Sequence, residues 1–173
     1  LTLTGTDMTI PVIDKRDCDG SGMNTTGYVE PGYSATDIVD GNLTSSVTVV
    51  GSVDATTTGV YTLTYNVTDV QANAASATRK VTVVDTKAPV INKIGSERVQ
   101  IGSVFVDQTN TCDNYDDNPN FTTVYGLNGA VNTGIRATYE YTYTSIDASG
   151  NKTTVVRNYE VDDTIAPRII LNT

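Results

Sequence analysis

One offset governs this sequence. Gly51 and Gly129 stand 78 apart (129 − 51 = 78), and so do Tyr61 and Tyr139, Tyr65 and Tyr143, Asp69 and Asp147, Asn73 and Asn151, and Arg79 and Arg157. Asp7, Pro11 and Ile13 match Asp85, Pro89 and Ile91 at the same distance, and Asp85 and Pro89 match Asp163 and Pro167. A fixed period of this length is the mark of a repeat architecture. Two repeats are expected, at 1–84 (matched from Asp7) and 85–162. The segment 163–173 then reads as the first strand of a further repeat, or as a strand donated to a neighbour. The chain is accordingly expected to be a piece of a longer array, with any targeting segment removed or upstream. The offset falls to 76 between Asp37 and Asp113. The first repeat carries extra residues around Asp17–Gly22 and the second around Asp113–Asn118, and insertions of this kind belong in loops.

Within each repeat the hydrophobic period is two. Tyr61, Leu63, Tyr65 and Val67 share one face of residues 60–68, and Thr62, Thr64, Asn66 and Thr68 share the other. Tyr139, Tyr141 and Tyr143 repeat that face in 138–145, and Val81 and Val83 point inward in 78–84. Such alternation marks half-buried strands. Turn-forming clusters at Asp69–Asn73 and Asp147–Asn151 join them into hairpins. No Trp is present, so the cores must be built from Val, Ile, Leu and Tyr, a palette that suits pleated surfaces. The ten Tyr therefore read as core filling, since their spacing is the core period. Short alternating strands separated by turn signals predict an all-β chain of two tandem immunoglobulin-like β-sandwiches, with roughly seven strands each. Gly59-Val-Tyr61 resembles a tyrosine corner, and Leu63 stands where an antibody domain has Cys, so no disulfide within a sandwich is expected.

The strings Ala35-Thr-Asp-Ile-Val-Asp-Gly41, Gly59-Val-Tyr-Thr-Leu-Thr-Tyr65 and Ala77–Pro89, with Asp147-Ala-Ser-Gly-Asn151 and Asp162-Asp-Thr-Ile-Ala-Pro167, resemble hyalin-repeat-like bacterial immunoglobulin domains. The resemblance covers nearly the whole chain. It implies spacer or adhesive modules of long cell-surface proteins. The second repeat departs from the pattern at Ala137, where the first has Gly59, and in its longer acidic loop.

Composition removes several functions. There is no His, so Ser-His-Asp and Cys-His catalysis and the usual Cys/His zinc sites are excluded. No Gly-rich phosphate loop precedes a helix. The chain is expected not to be an enzyme. A net charge of −9 disfavours nucleic acid and anionic membrane surfaces. No apolar run approaches the roughly 20 residues that span a bilayer, so no membrane insertion is expected.

The acids are the remaining chemistry. In such a sandwich, the loops after the second and sixth strands share a pole with the point where the chain enters. That pole would gather Asp7, Asp37, Asp40, Asp69 and Asn73 in the first repeat. In the second it would gather Asp85, Asp113, Asp116, Asp117, Asp147 and Asn151. Calcium takes six to eight oxygen ligands of these types, so Ca²⁺ at the repeat junctions is expected. The competing reading makes these Asp and Asn ordinary turn residues, bonded to their own backbone. The Asp-rich stretch Asp14–Gly22 lacks the closing Glu of an EF-hand, though a loop of this type can hold a cation alone. Cys18 and Cys112 lie in loops expected to face one another, which predicts an inter-repeat disulfide in an oxidising compartment. Asn24, Asn42, Asn66, Asn120 and Asn151 head Asn-x-Thr sequons.

The expected function is a structural or adhesive module of an extracellular surface protein, filament or S-layer. Its partners would be neighbouring repeats or like subunits through the 163–173 strand. The alternatives are a module that binds carbohydrate or a receptor, and an accessory domain of a secreted enzyme.

Overall fold

The computed structural model describes residues 1–169. The chain divides into two compact units, Leu1–Thr86 and Lys87–Thr173. Among the described residues there is no α-helix, only one 3-10 turn at Thr44–Ser46. The all-β expectation is met.

The first unit contains β1 (Thr2–Leu3), β2 (Met8–Pro11), β3 (Tyr33–Ser34), β4 (Thr36–Asp37), β5 (Gly41–Asn42), β6 (Thr48–Val50), β7 (Gly59–Thr68) and β8 (Ala74–Val84). Its main sheet has the order β2-β8-β7-β6, accompanied by the two-stranded pairs β1-β3 and β4-β5. The long β7–β8 hairpin holds the core. Leu63, Tyr65 and Val67 of β7 and Val81 and Val83 of β8 are all buried, with Val12, Ala35 and Ala55 beside them. The Tyr61 hydroxyl donates to the Thr57 carbonyl at 2.8 Å, four residues upstream, as a tyrosine corner requires.

The second unit contains β9 (Val90–Asn92), β10 (Arg98–Gln100), β11 (Asn110–Cys112), β12 (Asn120–Tyr125), β13 (Ala137–Ile146) and β14 (Lys152–Asp162). Its main sheet runs β10-β14-β13-β12, and β9 pairs with β11. The core here is aromatic: Tyr139, Tyr141, Tyr143 and Tyr159 pack with Ile91, Val99 and Val161. Phe105 meets Tyr159 edge-on with ring centroids 4.8 Å apart, and Tyr141 meets Tyr159 at 5.1 Å, the tilted geometry that aromatic quadrupoles favour. Five of the ten tyrosines, Tyr65, Tyr139, Tyr141, Tyr143 and Tyr159, are buried, as their period indicated, whereas Tyr125 is exposed.

Strand register corrects part of the repeat alignment. In the first unit β2 lies parallel to β8, with Ile10 opposite Val83. In the second, β10 lies parallel to β14, with Val99 opposite Val161. Val83 and Val161 keep the 78 offset, so the counterpart of Val99 is Ile10, 89 positions earlier (99 − 10 = 89). The matches of Asp7, Pro11 and Ile13 to Asp85, Pro89 and Ile91 are therefore likenesses of string and not of place. The first unit spends 18 residues from Val12 to Glu30 (30 − 12), where the second spends 6 from Ile101 to Asp107 (107 − 101). That difference of 12 returns the offset from 89 to 77. Both strings are polar-to-apolar strand beginnings with a Pro, and such strings recur wherever an edge strand starts.

Beyond Asp162 the described residues 163–169 form no strand. Gln100 holds the start of this segment, accepting from the Thr164 N–H at 2.6 Å. The remainder of the expected 163–173 strand, residues 170–173, lies outside the described residues.

Candidate acidic poles and the buried arginine networks

Two turns in each unit carry the same side-chain geometry. In the first unit, the Asp37 carboxylate accepts from the N–H groups of Val39 at 2.7 Å and Asp40 at 3.0 Å. Asp40 accepts from the Val70 N–H at 3.0 Å, which ties the two turns together. Asp69 accepts from the backbone and side-chain N–H of Asn73, both at 2.7 Å. In the second unit, Asp113 accepts from Tyr115 at 2.9 Å and Asp116 at 2.7 Å. Asp116 accepts from the Ala148 N–H at 3.0 Å. Asp147 accepts from Asn151, backbone and side chain, both at 2.8 Å. Asp37, Asp40, Asp69 and Asn73 thus correspond one by one to Asp113, Asp116, Asp147 and Asn151.

Asp37 and Asp113 bond their own turns through one oxygen, and Asp69 and Asp147 through both. The two units differ in burial. Asp113 and Asp147 are buried, whereas Asp37 and Asp69 are half-buried. Oxygens of Asp113 and Asp147 lie within 4.8 Å of one another. Asp85 is buried as well, and Asp117 is exposed.

Asp7 does not join the pole of its unit. Its carboxylate accepts from the Lys80 N–H at 2.9 Å, six residues along β8 from Ala74. At about 3.3 Å per residue that is about 20 Å from the Asp69 turn. The register shift described above is the reason. In the long loop of the first unit, Asp17 accepts from the N–H of Gly20 at 2.8 Å and Gly22 at 3.2 Å, and Asp19 from that of Ser21 at 2.9 Å. These acids cap their own loop. Neither Cys18 nor Cys112 is a free thiol; both are disulfide-bonded.

The networks that sequence reasoning missed are built on arginine. Arg79 and Arg157 occupy the inner face of β8 and β14 and are 1% and 2% exposed, so each needs a full set of acceptors. Arg79 pairs with Glu30 and donates to the carbonyls of Thr4 at 2.6 Å and Gly32 at 3.3 Å. Arg157 donates to the carbonyls of Ile94 at 2.9 Å and Gly95 at 3.0 Å and to the Thr109 hydroxyl at 2.8 Å. In each unit the matched tyrosine donates its hydroxyl to a carboxylate: Tyr65 to Glu30, and Tyr143 to Asp107 at 2.6 Å. A usable signal was present. Arg79 falls in the same alternation as Val81 and Val83, and a charge on a core face predicts a buried partner.

These carboxylates hold their protons weakly. Burial pushes Glu30 upward, but hydrogen bonds from Tyr28, Tyr65, the Gly32 N–H and Arg79 outweigh it and bring Glu30 from 4.5 to about 2. Asp107 is likewise raised by burial and lowered more strongly by Tyr143, Thr109 and Tyr159. A depressed folded-state pKa contributes stability above the unfolded value and loses it as pH falls through the folded one. The first unit is therefore expected to lose stability between about pH 4.5 and about pH 2. Thermal unfolding from pH 7 to pH 2 checks this, and Glu30→Gln should flatten the slope over that window. An unchanged slope in Glu30→Gln would assign the acid sensitivity elsewhere.

One family model agrees with the architecture of the first unit. Residues 23–83 match the model of the family described as bacterial surface protein, Ig-like domain. The match supports a bacterial Ig-like surface domain in the first unit, and not hyalin repeats in particular. It favours a non-catalytic module in a surface or extracellular setting. The chain is 30% identical over 148 residues to an uncharacterized 81.3 kDa protein of Acholeplasma phage L2, covering 79% of this chain and 20% of that one. It thus spans about a fifth of the length of the curated relative it matches. Among solved structures, the lipoprotein BT2262 from Bacteroides thetaiotaomicron aligns at TM-score 0.40 and 16% identity, over 92% of this chain and 78% of that one. The structure of CBM51-2 in complex with GlcNAc and INT domains from Clostridium perfringens ZmpB aligns at TM-score 0.32 and 18% identity, over 90% and 40%. No helix among the described residues is long and apolar enough to cross a membrane.

Proposed function

We propose that the chain is a non-catalytic spacer or adhesive module of an extracellular surface protein, stiffened by Ca²⁺ held at the acidic pole of its second unit. The observation that carries this reading is the close approach of Asp113 and Asp147, both buried and within 4.8 Å. Two carboxylates at that distance repel by about 3 kcal/mol at an effective dielectric of about 20. A divalent cation turns the repulsion into attraction, and carboxylates with backbone carbonyls are the ligands calcium selects. Asp116 and Asn151 orient the turns around the proposed site. Spacer modules of this kind need rigidity and no catalytic cleft, and the strand-face tyrosines Tyr65, Tyr139, Tyr141, Tyr143 and Tyr159 are buried in the cores.

Thermal unfolding in millimolar calcium and in excess chelator tests the reading. At calcium about 100-fold above Kd, binding contributes about 2.7 kcal/mol. For a unit of this size that is a rise in Tm of about 10 °C or more. Asp147→Asn should abolish most of the rise. An identical Tm in calcium and chelator, with no ion retained after dialysis, would sink the proposal.

A further inference from the structure

The main sheets end in the edge strands β2, β6, β10 and β12. Three of them carry a feature that discourages further pairing. β2 ends on Pro11, which has no N–H to offer. β10 is three residues long and begins with the charged Arg98. β6 is also three residues long and is followed by Gly51, whose φ of +101° leaves the extended region. β12 has none of these. It runs for six residues, Asn120-Phe-Thr-Thr-Val-Tyr125, with no charge and no proline, in a chain of net charge −9.

The register shows which way its main chain faces. β12 pairs antiparallel with β13, from Asn120 opposite Ile146 to Tyr125 opposite Tyr141. One step further, the Gly126 N–H donates to the Glu140 carbonyl at 2.8 Å. Hydrogen-bonded pairs alternate with unbonded ones along an antiparallel ladder. Asn120, Thr122 and Val124 therefore bond to β13, whereas Phe121, Thr123 and Tyr125 turn their N–H and C=O groups to the open side. Among the described residues no strand takes them up. The side chains of these three lie on the core face. There the Tyr125 ring meets Tyr141 with centroids 4.6 Å apart, and Phe121 stacks on Tyr143 at 5.8 Å. The cover over that face is incomplete at the edge: Tyr125 is 51% exposed, and Val124, on the outer face, 65%.

We propose that β12 is a self-recognition edge, which pairs antiparallel with β12 of a second copy of this chain. The strand is complementary to itself in one register. With Thr123 on the two-fold axis, Thr123 faces its own copy and Phe121 faces Tyr125 of the second copy. Every outward N–H and C=O is then used, in about six main-chain hydrogen bonds, and an aromatic pair covers the exposed core face on each side of the axis. On the outer face Thr122 meets Val124. No charge enters the pairing. The acid of β13, Glu140, stands opposite Gly126 beyond one end of the strand. The two copies of Glu140 thus lie about 20 Å apart along the strands, well beyond the screening length of about 8 Å. An isologous contact of this kind closes on itself and makes dimers. One strand pair buries less than the roughly 1,200 Å² of a stable complex, so the dimer forms only near millimolar concentration. This lateral contact goes beyond the spacer reading above and needs no cation, so it is measured in chelator.

Sedimentation velocity up to millimolar concentration tests the proposal, with wild type expected to show a reversible monomer–dimer equilibrium. Thr123→Pro removes an N–H that β13 does not use, and it holds Thr122 in the extended region that residue already occupies. The monomer fold should stand, while the dimer loses its two central bonds and weakens at least roughly tenfold. The register has its own readout. Residues in a hydrogen-bonded antiparallel pair have Cα atoms about 5.5 Å apart, within disulfide reach. Thr123→Cys is therefore expected to give a disulfide-linked dimer under mild oxidation. Asn120→Cys, whose two copies stand at opposite ends of the pairing, should give none. This comparison decides the matter even where Thr123→Pro perturbs folding. A wild type that stays monomeric at millimolar concentration overturns the proposal and leaves the edge to a strand of another protein. A dimer that Thr123→Pro does not weaken, or cross-linking at position 120 equal to that at 123, overturns it as well.

Discussion

Replacing Arg157 by Met is expected to destabilise the second unit by about 3–5 kcal/mol, the range for removing one member of a buried charged network. Substituting a whole buried ion pair by apolar residues is often harmless, because both partners leave together. That escape is closed here. Two of the acceptors are main-chain carbonyls, of Ile94 and Gly95, and no mutation removes them. Each costs up to about 1–3 kcal/mol where water does not replace the lost donor. The guanidinium also sits over the Tyr159 ring at 4.8 Å, so the change loses packing in the aromatic core. Arg157→Lys should recover only part of the loss, since an ammonium cannot fork between carbonyls and a hydroxyl. Arg79→Met in the first unit should behave alike, through the carbonyls of Thr4 and Gly32. Calorimetry with urea titration of the same variants checks both, and a cost below about 1 kcal/mol for Arg157→Met would mean that water reaches the vacated acceptors.

Gly51→Ala is the second large effect, with an expected cost of about 3 kcal/mol or more. Gly51 has φ +101°, and a Cβ there would meet the Thr62 carbonyl oxygen at 2.5 Å. Both terms act together: the backbone conformation costs of order 1–3 kcal/mol for a residue with a Cβ, and the clash is with the main chain of β7, which its pairing with β8 holds in place. Gly129, which the 78 offset aligns with it by string but which lies past the end of β12, provides a control for the backbone share alone. It has φ +68° and nothing within 4 Å of an added Cβ. Gly129→Ala should cost only about 1–2 kcal/mol, the backbone share. Equal costs in urea titrations of the two variants would show that the contact with Thr62 relaxes.

Ala72 marks a smaller cost that the first unit already bears. It has φ +67°, while its counterpart in the second unit is Gly150, with φ +90°. The hairpin turn is the same in both units, and one of them closes it with a residue suited to the left-handed region.

How much of this was legible in the sequence differs by element. The β7–β8 and β13–β14 hairpins were visible because burial on one face of a sheet imposes a period of two, and that period survives in the residues whatever surrounds them. The tyrosine core and the matched Asp turns were visible for the same reason, since a local turn is made by residues near one another in the chain. Asp7 was misplaced because a likeness of strings carries no information on which strand pairs with which. Parallel pairing of Ile10 with Val83, across more than seventy residues, set its position. The partners of Arg79 and Arg157 lay equally far off, in loops of different length.

The sequence by itself determined the repeat, the strand periods, the turn chemistry and the absence of histidine catalysis, all of which follow from residues within one strand or turn of each other. Only the tertiary structure decided that Asp113 and Asp147 are buried together while Asp37 and Asp69 are half-buried, and that Gly51 is crowded and Gly129 is not. Those distinctions arise from long-range pairing and burial, and two residues in matched strings acquire them only from what the rest of the chain packs against each.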